Sequence, residues 1–357
     1  MSSLKNHLPG RLGNPHSTLE TDARLDPRIK AALELVGGLA EGFDPPALDA
    51  SYEECLAYCQ LFEDTAAAAH PQMLAAMPAV PLVATTTEVI RGVDGNEITL
   101  YIHQPVDRVG LLPCIVHTHG GGMVLMTATD PMYIRLRNDL ASLGMVVIGV
   151  EFRNGGGRLG NHPFPAGLND CASAAQWAHA NRAQLGASCI VISGESGGGN
   201  LSIATTLKAK QEGRLDQIDG VYSLCPYVCG SYAEPPANLR SLVENDQYLL
   251  SGPMMSALVR VYDPQGDHAR DPLAWPLQAG PDDLQGLPPV VISVNELDPL
   301  RDEGLALYRK LGAAGVAVTA RTVHGTPHGG DLSYPDIVPN VYQETIRSIY
   351  GFARSLV

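Results

Sequence analysis

Ser196 is the first residue of this chain whose surroundings promise chemistry. It lies in Gly194-Glu195-Ser196-Gly197-Gly198, directly after the β-branched run Ile190-Val191-Ile192 and just before apolar residues at helical spacing from Leu201 to Leu207. That succession reads as strand, sharp turn, helix. Glycines two before and two after the serine let the backbone bend tightly enough to lift the hydroxyl above a sheet. The positive end of the following helix would then face an oxyanion formed there. The chemistry implied is nucleophilic attack on a carbonyl. With 37 glycines in 357 residues, such a pattern arises by chance in about one chain in five, so it carries weight only in company. A phosphate-cradling turn is the rival reading, but no Gly-Lys-Ser/Thr follows and the first strand-to-helix turn lacks Gly-x-Gly-x-x-Gly.

The company is found further along. A serine needs a base to attack at neutral pH, and the base needs an acid to fix its tautomer; after such a turn the chain order is serine, acid, histidine. Of the 11 histidines only His324 and His328 lie beyond the apolar strand Val290 to Leu297, both in the loop from Val323 to Asp331. His324 directly follows a strand and suits a structural role. His328, between Pro327 and Gly329, can reach further and is favoured as the base, with His324 kept open. Asp298 stands where the strand exits and is the favoured acid, with Glu296 as the alternative. Asp302 and Glu303 are expected to serve the N-terminus of the next helix.

The third part is Val116-His117-Thr118-His119-Gly120-Gly121-Gly122. Its glycines expose consecutive amides that, with the N–H of Gly197, would complete an oxyanion hole. The rival is a flexible turn. His117 and His119, two apart on one face of an extended strand, also raise a metal, but no third ligand is near in sequence. Four such features in the order the chemistry requires are far less expected by accident than any one of them.

The elements that must position these groups follow from patterning. Residues 1 to about 27 form an irregular arm. A helix after Asp26-Pro27 carries Ile29, Leu33, Val36 and Leu39 on one face and ends near Gly42. Ser51 and Glu54 form a capping box for a second helix with Leu56, Cys59, Leu61 and Phe62. Pro78 to Pro81 is a linker. Two alternating runs, Thr85 to Val93 and Glu97 to His103, flank Asp94-Gly95 and make a hairpin. Strands and helices then alternate: strand to His117, helix Met132–Leu143, strand Met145–Phe152, helix Ala166–Leu185, strand Ile190–Ser193, helix Gly197–Gln211, strand Gly220–Leu224. Apolar strands in that rhythm mean a parallel sheet covered on both faces. The rhythm breaks at Pro226. An excursion to about His268 holds one long helix, Ser251–Tyr262, before strand, helix, strand Val316–Val323 and a closing helix Pro339–Val357. Excursions of that length tend to be lids or binding elements. The expected division is an N-terminal arm and cap helices (1–80), a core in two parts (81–227 and 269–357) and a cap insertion (228–268).

Composition excludes several classes. An apolar fraction of 45% with 17% charged residues is that of a globular protein. A net charge of −14 argues against nucleic acid and against anionic membranes. No run of 18 apolar residues spans a membrane and no secretory signal is read at the N-terminus. The seven cysteines are odd in number and scattered through apolar runs, as buried thiols in a reducing cytoplasm are. Cys225 and Cys229 lie four apart, as do Cys55 and Cys59, but nothing in sequence completes a zinc set.

At this point the chain resembles the hormone-sensitive-lipase-like branch of the α/β-hydrolases. The residues that carry the likeness are His119-Gly120-Gly121-Gly122, His162-Pro163-Phe164-Pro165, Gly194 to Asn200, Ser241 to Asp246, and Asp298-Pro299-Leu300-Arg301-Asp302-Glu303-Gly304. The resemblance implies an α/β-hydrolase fold, a mostly parallel central sheet with helices on both faces and a helical cap. It implies Ser196 as nucleophile, Asp298 as acid, His328 as base, and Gly121, Gly122 and Gly197 as oxyanion donors. Three stretches depart from the family pattern: Glu195-Ser196-Gly197 at the elbow, Phe152-Arg153-Asn154-Gly155-Gly156-Gly157, and Gly329-Gly330 after the base.

The expected function is that of a carboxylic ester hydrolase without cofactor or metal, acting in the cytoplasm on short-chain or compact esters, lactones among them. No nucleic-acid partner or membrane span is expected, and association into a homo-oligomer is left open. A catalytically silent ligand-binding member of the fold, or an amidase or acyltransferase with the same parts, are the alternatives.

Overall fold

The computed structural model describes residues 8–35 and 44–357. Its longer elements, in chain order, are α1 (Pro27–Leu35), α2 (Tyr52–Ala67), α3 (His70–Ala76), β1 (Val83–Arg91), β2 (Glu97–Pro105), β3 (Leu112–Thr118), α4 (Pro131–Ser142), β4 (Val146–Glu151) and α5 (Ala166–Ala180). They continue with β5 (Ala187–Glu195), α6 (Gly197–Gln211), β6 (Gly220–Leu224), α7 (Gly252–Tyr262), β7 (Val290–Leu297), α8 (Arg301–Ala313), β8 (Val318–Pro327) and α9 (Pro339–Arg354).

The strands form one sheet in the order β1-β2-β4-β3-β5-β6-β7-β8. β1 and β2 are the antiparallel hairpin turned at Asp94-Gly95, and β2 lies antiparallel to β4; the rest of the sheet is parallel. Successive strand residues point to opposite faces, which is why the central strands are apolar throughout. Cys114, Val116, Ile190 and Ile192 pack on the layer that contains α5, α6 and α8. Their neighbours Ile115, Val147, Val191 and Val291 pack on the layer of α4 and α9. α9 meets that face with Tyr342, Ile346, Ile349 and Ala353, three or four apart along a helix whose outer side is polar.

Chain order and strand order diverge between β3 and β5: the chain leaves β3 for β4 on one side and then crosses to β5 on the other. The crevice outside the carboxyl ends at such a switch point is where open α/β sheets bind ligands. The three predicted motifs leave the sheet at that end, from β3, β5, and the pair β7 and β8.

Some boundaries differ from expectation. The helix expected to run from Ala166 to Leu185 ends at Ala180, where Asn181 turns and bonds back to the Trp177 carbonyl; Arg182–Leu185 is a separate turn. The strand expected to end at Val323 continues to Pro327, so His324 lies on β8 rather than in a loop. Leu61 on α2 is exposed, and the buried side of that helix is formed by Cys55, Tyr58, Cys59 and Glu63. A helix not anticipated, α3, precedes the linker. Ile29 and Leu33 of α1 are buried as expected, whereas Val36, Leu39 and Gly42 lie outside the described residues.

Candidate active site

Ser196 sits between β5 and α6 with φ 57° and ψ −118°, a region costly for a residue with a Cβ. The turn is held from both sides. The Ser196 N–H donates to the Leu224 carbonyl (2.9 Å), and its own carbonyl accepts from Asn200 (3.0 Å) and Tyr227 (3.1 Å). The flanking glycines are required by space: a Cβ on Gly194 would strike the Thr118 carbonyl, and one on Gly198 would strike the same carbonyl and lie 2.6 Å from that of His119.

The oxyanion candidates meet this turn because β3 and β5 pair in register, His117 opposite Ser193 and Thr118 opposite Gly194. Gly121 and Gly122 both adopt positive φ (91° and 63°), and the Gly121 carbonyl accepts from Val124 (3.0 Å) and Leu125 (2.9 Å). A Cβ on Gly197 would lie 2.6 Å from the Gly122 nitrogen. The backbones of the two motifs are thus packed against each other, and an anion placed there would face amides from both.

Glu195 joins the two motifs. Its Oε1 accepts from the Gly120 N–H (2.7 Å), and its Oε2 from His117 Nε2 (3.0 Å), all buried. His119 instead donates Nδ1–H to the Gly120 carbonyl and stacks on Phe152 at 4.1 Å. Burial pulls its pKa down to about 3, so it is a neutral ring supporting the loop. The two histidines therefore have separate hydrogen-bond partners.

Asp298 and His328 meet for a reason visible in the strand register. Leu297 of β7 pairs with Pro327 of β8, so the next residue on each strand is one member of the pair. His328 Nδ1 donates to Asp298 Oδ2 at 2.8 Å, while Oδ1 accepts from the Leu300 N–H at 2.8 Å. Asp298 is fully buried. Burial pulls the His328 pKa down, but the Asp298 carboxylate, with Cys225 beside it, outweighs it and the net shift is well upward. With Nδ1 engaged by the acid, Nε2 is the nitrogen left to accept a proton. Cys225, the residue after the Leu224 whose carbonyl holds Ser196, has its Sγ within 4.8 Å of a ring nitrogen of His328.

The alternative histidine and acid, His324 and Glu296, pair with each other. Between Asn295 opposite Val323 and Leu297 opposite Pro327, β8 spends four residues where β7 spends two. This bulge turns His324 outward, where its side chain is 77% exposed and sits 3.1 Å from Glu296. Asp302 and Glu303, expected at their own helix N-terminus, reach across to the excursion instead. Asp302 accepts from the Ser241 N–H (2.9 Å), and Glu303 Oε1 from Val228 N–H (2.7 Å), Cys229 N–H (3.3 Å) and Tyr232 OH (3.0 Å).

Several positioning residues escaped sequence reasoning. Asn295 donates to Thr326 (2.8 Å) and Asp331 (2.9 Å) and accepts from Gly329 N–H (3.2 Å), bracing the turn that carries His328. Asn245 donates to the carbonyls of Glu296 (3.1 Å) and Asp298 (3.0 Å), and Ser241 to that of Pro299 (2.7 Å). Arg24 of the N-terminal arm and Arg301 share Glu244. The run Ser241 to Asp246 thus clamps the acid-bearing loop, a role its sequence did not disclose.

Above the glycines lies the excursion. A Cβ on Gly122 would meet Leu258 of α7 at 2.8 Å, and one on Gly156 would touch Val261 (3.2 Å), Val124 and Leu56 of α2 (both 3.3 Å). The departure at Gly155-Gly156 therefore accommodates the close approach of α7 and α2. Glu63 of α2 accepts from the Met126 N–H (2.7 Å) and Arg158 N–H (2.5 Å), tying an N-terminal helix to the loop that follows the oxyanion glycines. A separate cavity of about 530 Å³ between residues 47–50 and the excursion is lined by Tyr232 and Arg260, away from Ser196.

Residues 115–331 match the family model described as the alpha/beta hydrolase fold. The chain belongs to the α/β-hydrolases. Its place in the hormone-sensitive-lipase-like branch follows from a structure described as brefeldin A esterase, a bacterial homologue of human hormone sensitive lipase. That structure is 45% identical over 98% of each chain, with TM-score 0.89. The structure of esterase Est22 is 37% identical, covering 95% of this chain and 99% of its own, at TM-score 0.82. Carboxylesterase NlhH of Mycobacterium tuberculosis is 31% identical over 274 residues, 74% of this chain and 81% of its own. Like these esterases, this hydrolase is a serine carboxylic ester hydrolase. Among its described residues, no helix is long and apolar enough to cross a membrane.

Proposed function

We propose that this hydrolase cleaves short-chain or compact carboxylic esters, lactones among them, through Ser196, His328 and Asp298. Ser196 Oγ attacks the carbonyl carbon, His328 Nε2 takes the hydroxyl proton and returns it to the leaving alcohol, and water repeats the sequence on the acyl-enzyme. Asp298 holds the ring in the Nδ1–H tautomer and stabilises the imidazolium without itself being protonated. The amides of Gly121, Gly122 and Gly197 receive the tetrahedral oxyanion; one such donor is worth on the order of 10² to 10³ in rate. The observation that carries the reading is the His328–Asp298 bond at 2.8 Å, made at the ends of β7 and β8, and the elbow conformation of Ser196 after β5 supports it.

The preference for compact substrates rests on Leu258 of α7, which approaches Gly122, and on Val261 of α7 and Leu56 of α2, which approach Gly156. With the N-terminal helices and the excursion acting as one cap over a core formed by the rest of the chain, acyl length is limited. All seven cysteines are buried thiols without a disulfide, which fits a cytoplasmic location. The test is hydrolysis of p-nitrophenyl acetate by the protein and by Ser196→Ala. Loss of activity in the variant is expected, and equal rates would end the assignment. A chain-length series should peak at short acyl groups; a peak at long ones would overturn the substrate reading.

A further inference from the structure

Cys225 has no part in ester hydrolysis, yet it stands against the acid and base. It follows β6 with φ 34°, in the left-handed region, and its N–H donates to the Ser293 carbonyl of β7 at 2.7 Å. One donor atom each from Cys225, Asp298 and His328 lies within 4.8 Å of the other two. The ligands come from three adjacent strands, so their spacing in sequence hides them, unlike Cys225 and Cys229.

We propose that these three residues form an inhibitory site for a thiophilic divalent cation, Zn²⁺ or Cd²⁺. Thiolate, imidazole and carboxylate are the donors such ions select, and three protein ligands with an open fourth position is a familiar zinc set. Bond lengths of about 2.0 to 2.3 Å place tetrahedral donors about 3.3 to 3.7 Å apart. The cluster reaches that by opening the 2.8 Å His328–Asp298 contact and closing its widest separation, which is no more than 4.8 Å, by at most about 1 Å. The way in is past His328, whose side chain is 13% exposed.

The proton balance explains why binding stops catalysis. The ion takes Nδ1 of His328 in place of the proton shared with Asp298. That proton moves to Nε2, the Cys225 thiol gives its proton to solvent, and the carboxylate stays ionised. A neutral ring metallated at Nδ1 and protonated at Nε2 donates where it must accept, so it cannot deprotonate Ser196. Binding stands on the cluster alone, and only its effect on rate rests on the proposed role of His328.

Zn²⁺ and Cd²⁺ are titrated into the protein, Ser196→Ala, Cys225→Ala and Cys225→Ser, following p-nitrophenyl acetate hydrolysis and the near-ultraviolet cadmium–thiolate absorption. The protein is expected to lose activity reversibly, recovering with a chelator, as one equivalent of cadmium–thiolate forms. The band persists in Ser196→Ala and is absent from both Cys225 variants. Relative to its own metal-free rate, each folded Cys225 variant needs at least about tenfold more metal for the same inhibition, since even outer-shell partners of a metal are worth 10- to 100-fold in affinity. Equal inhibition of protein and variants, or no band assignable to Cys225, would overturn the site. A band at Cys225 without loss of rate would leave the site standing and remove the base assignment.

Discussion

At the scale of single residues, the proposed mechanism makes the His328–Asp298 pair set both rate and pH response. The Asp298 carboxylate raises the His328 pKa well above its ordinary value against the opposing pull of burial. Attack on substrate requires the neutral ring, so activity should rise with pH through a value above the usual histidine range of about 6.5. In Asp298→Asn the carboxylate is lost. The acid limb of the kcat/KM profile should then move to lower pH while kcat falls by on the order of 10⁴, because the wrong tautomer is favoured. An unmoved limb would mean that Asp298 does not tune the base. The same raised value has a stability consequence of defined sign: the His328–Asp298 contribution is complete below the unfolded histidine pKa and is lost as pH rises through the folded one.

At the scale of elements, the bulge in β8 decides which histidine meets Asp298. Four residues of β8 against two of β7 carry the chain past His324 and bring His328 beside Asp298, a re-aiming typical of bulges near active sites. Asn295 holds that geometry from β7 through Thr326, Asp331 and Gly329. Asn295→Ala leaves the Asp331 carboxylate and the Gly329 N–H short of a buried partner, a cost of about 1 to 3 kcal/mol for each unsatisfied group. Misplacement of the base by a fraction of an ångström should lower kcat between about tenfold and 10²-fold. Denaturant unfolding and steady-state kinetics together check this; a stability loss with unchanged kcat would show that the bulge holds its shape without Asn295.

For the whole molecule, Glu303 is one of the buried groups through which the core grips the excursion. It holds Val228, Cys229 and Tyr232 from α8. Burial is the largest influence on it and raises its pKa to about 8. A carboxyl raised on folding binds a proton that the unfolded chain has already released. Its contribution is therefore complete below the unfolded value and declines by about 1.4 kcal/mol per pH unit until pH passes the folded value near 8. Glu303→Gln imitates the protonated form and keeps the Oε1 acceptor. The difference in stability between protein and variant, followed by thermal unfolding from pH 5 to 9, should therefore move in the variant's favour as pH rises. A constant difference would show that Glu303 does not titrate across this range.

Local chemistry made much of this hydrolase legible before any tertiary contact was known. Period-two alternation around Asp94-Gly95 gave the hairpin, and glycine at 194, 197 and 198 marked a turn that only glycine can line. The order of serine, aspartate and histidine along the chain is itself a consequence of how the strands are connected, so it could be read from sequence spacing. What sequence could not supply were pairings between distant residues. Glu195 with Gly120, Asn295 with Gly329 and Arg24 with Glu244 are polar contacts whose partners lie on other elements, and no periodicity records them. That His328 rather than His324 meets Asp298 depends on one register shift, and the cluster of Cys225, Asp298 and His328 on the adjacency of three strands. Periodic burial is written along the chain because each element must hide one face from water, whereas the meeting of particular side chains is settled only when those faces pack.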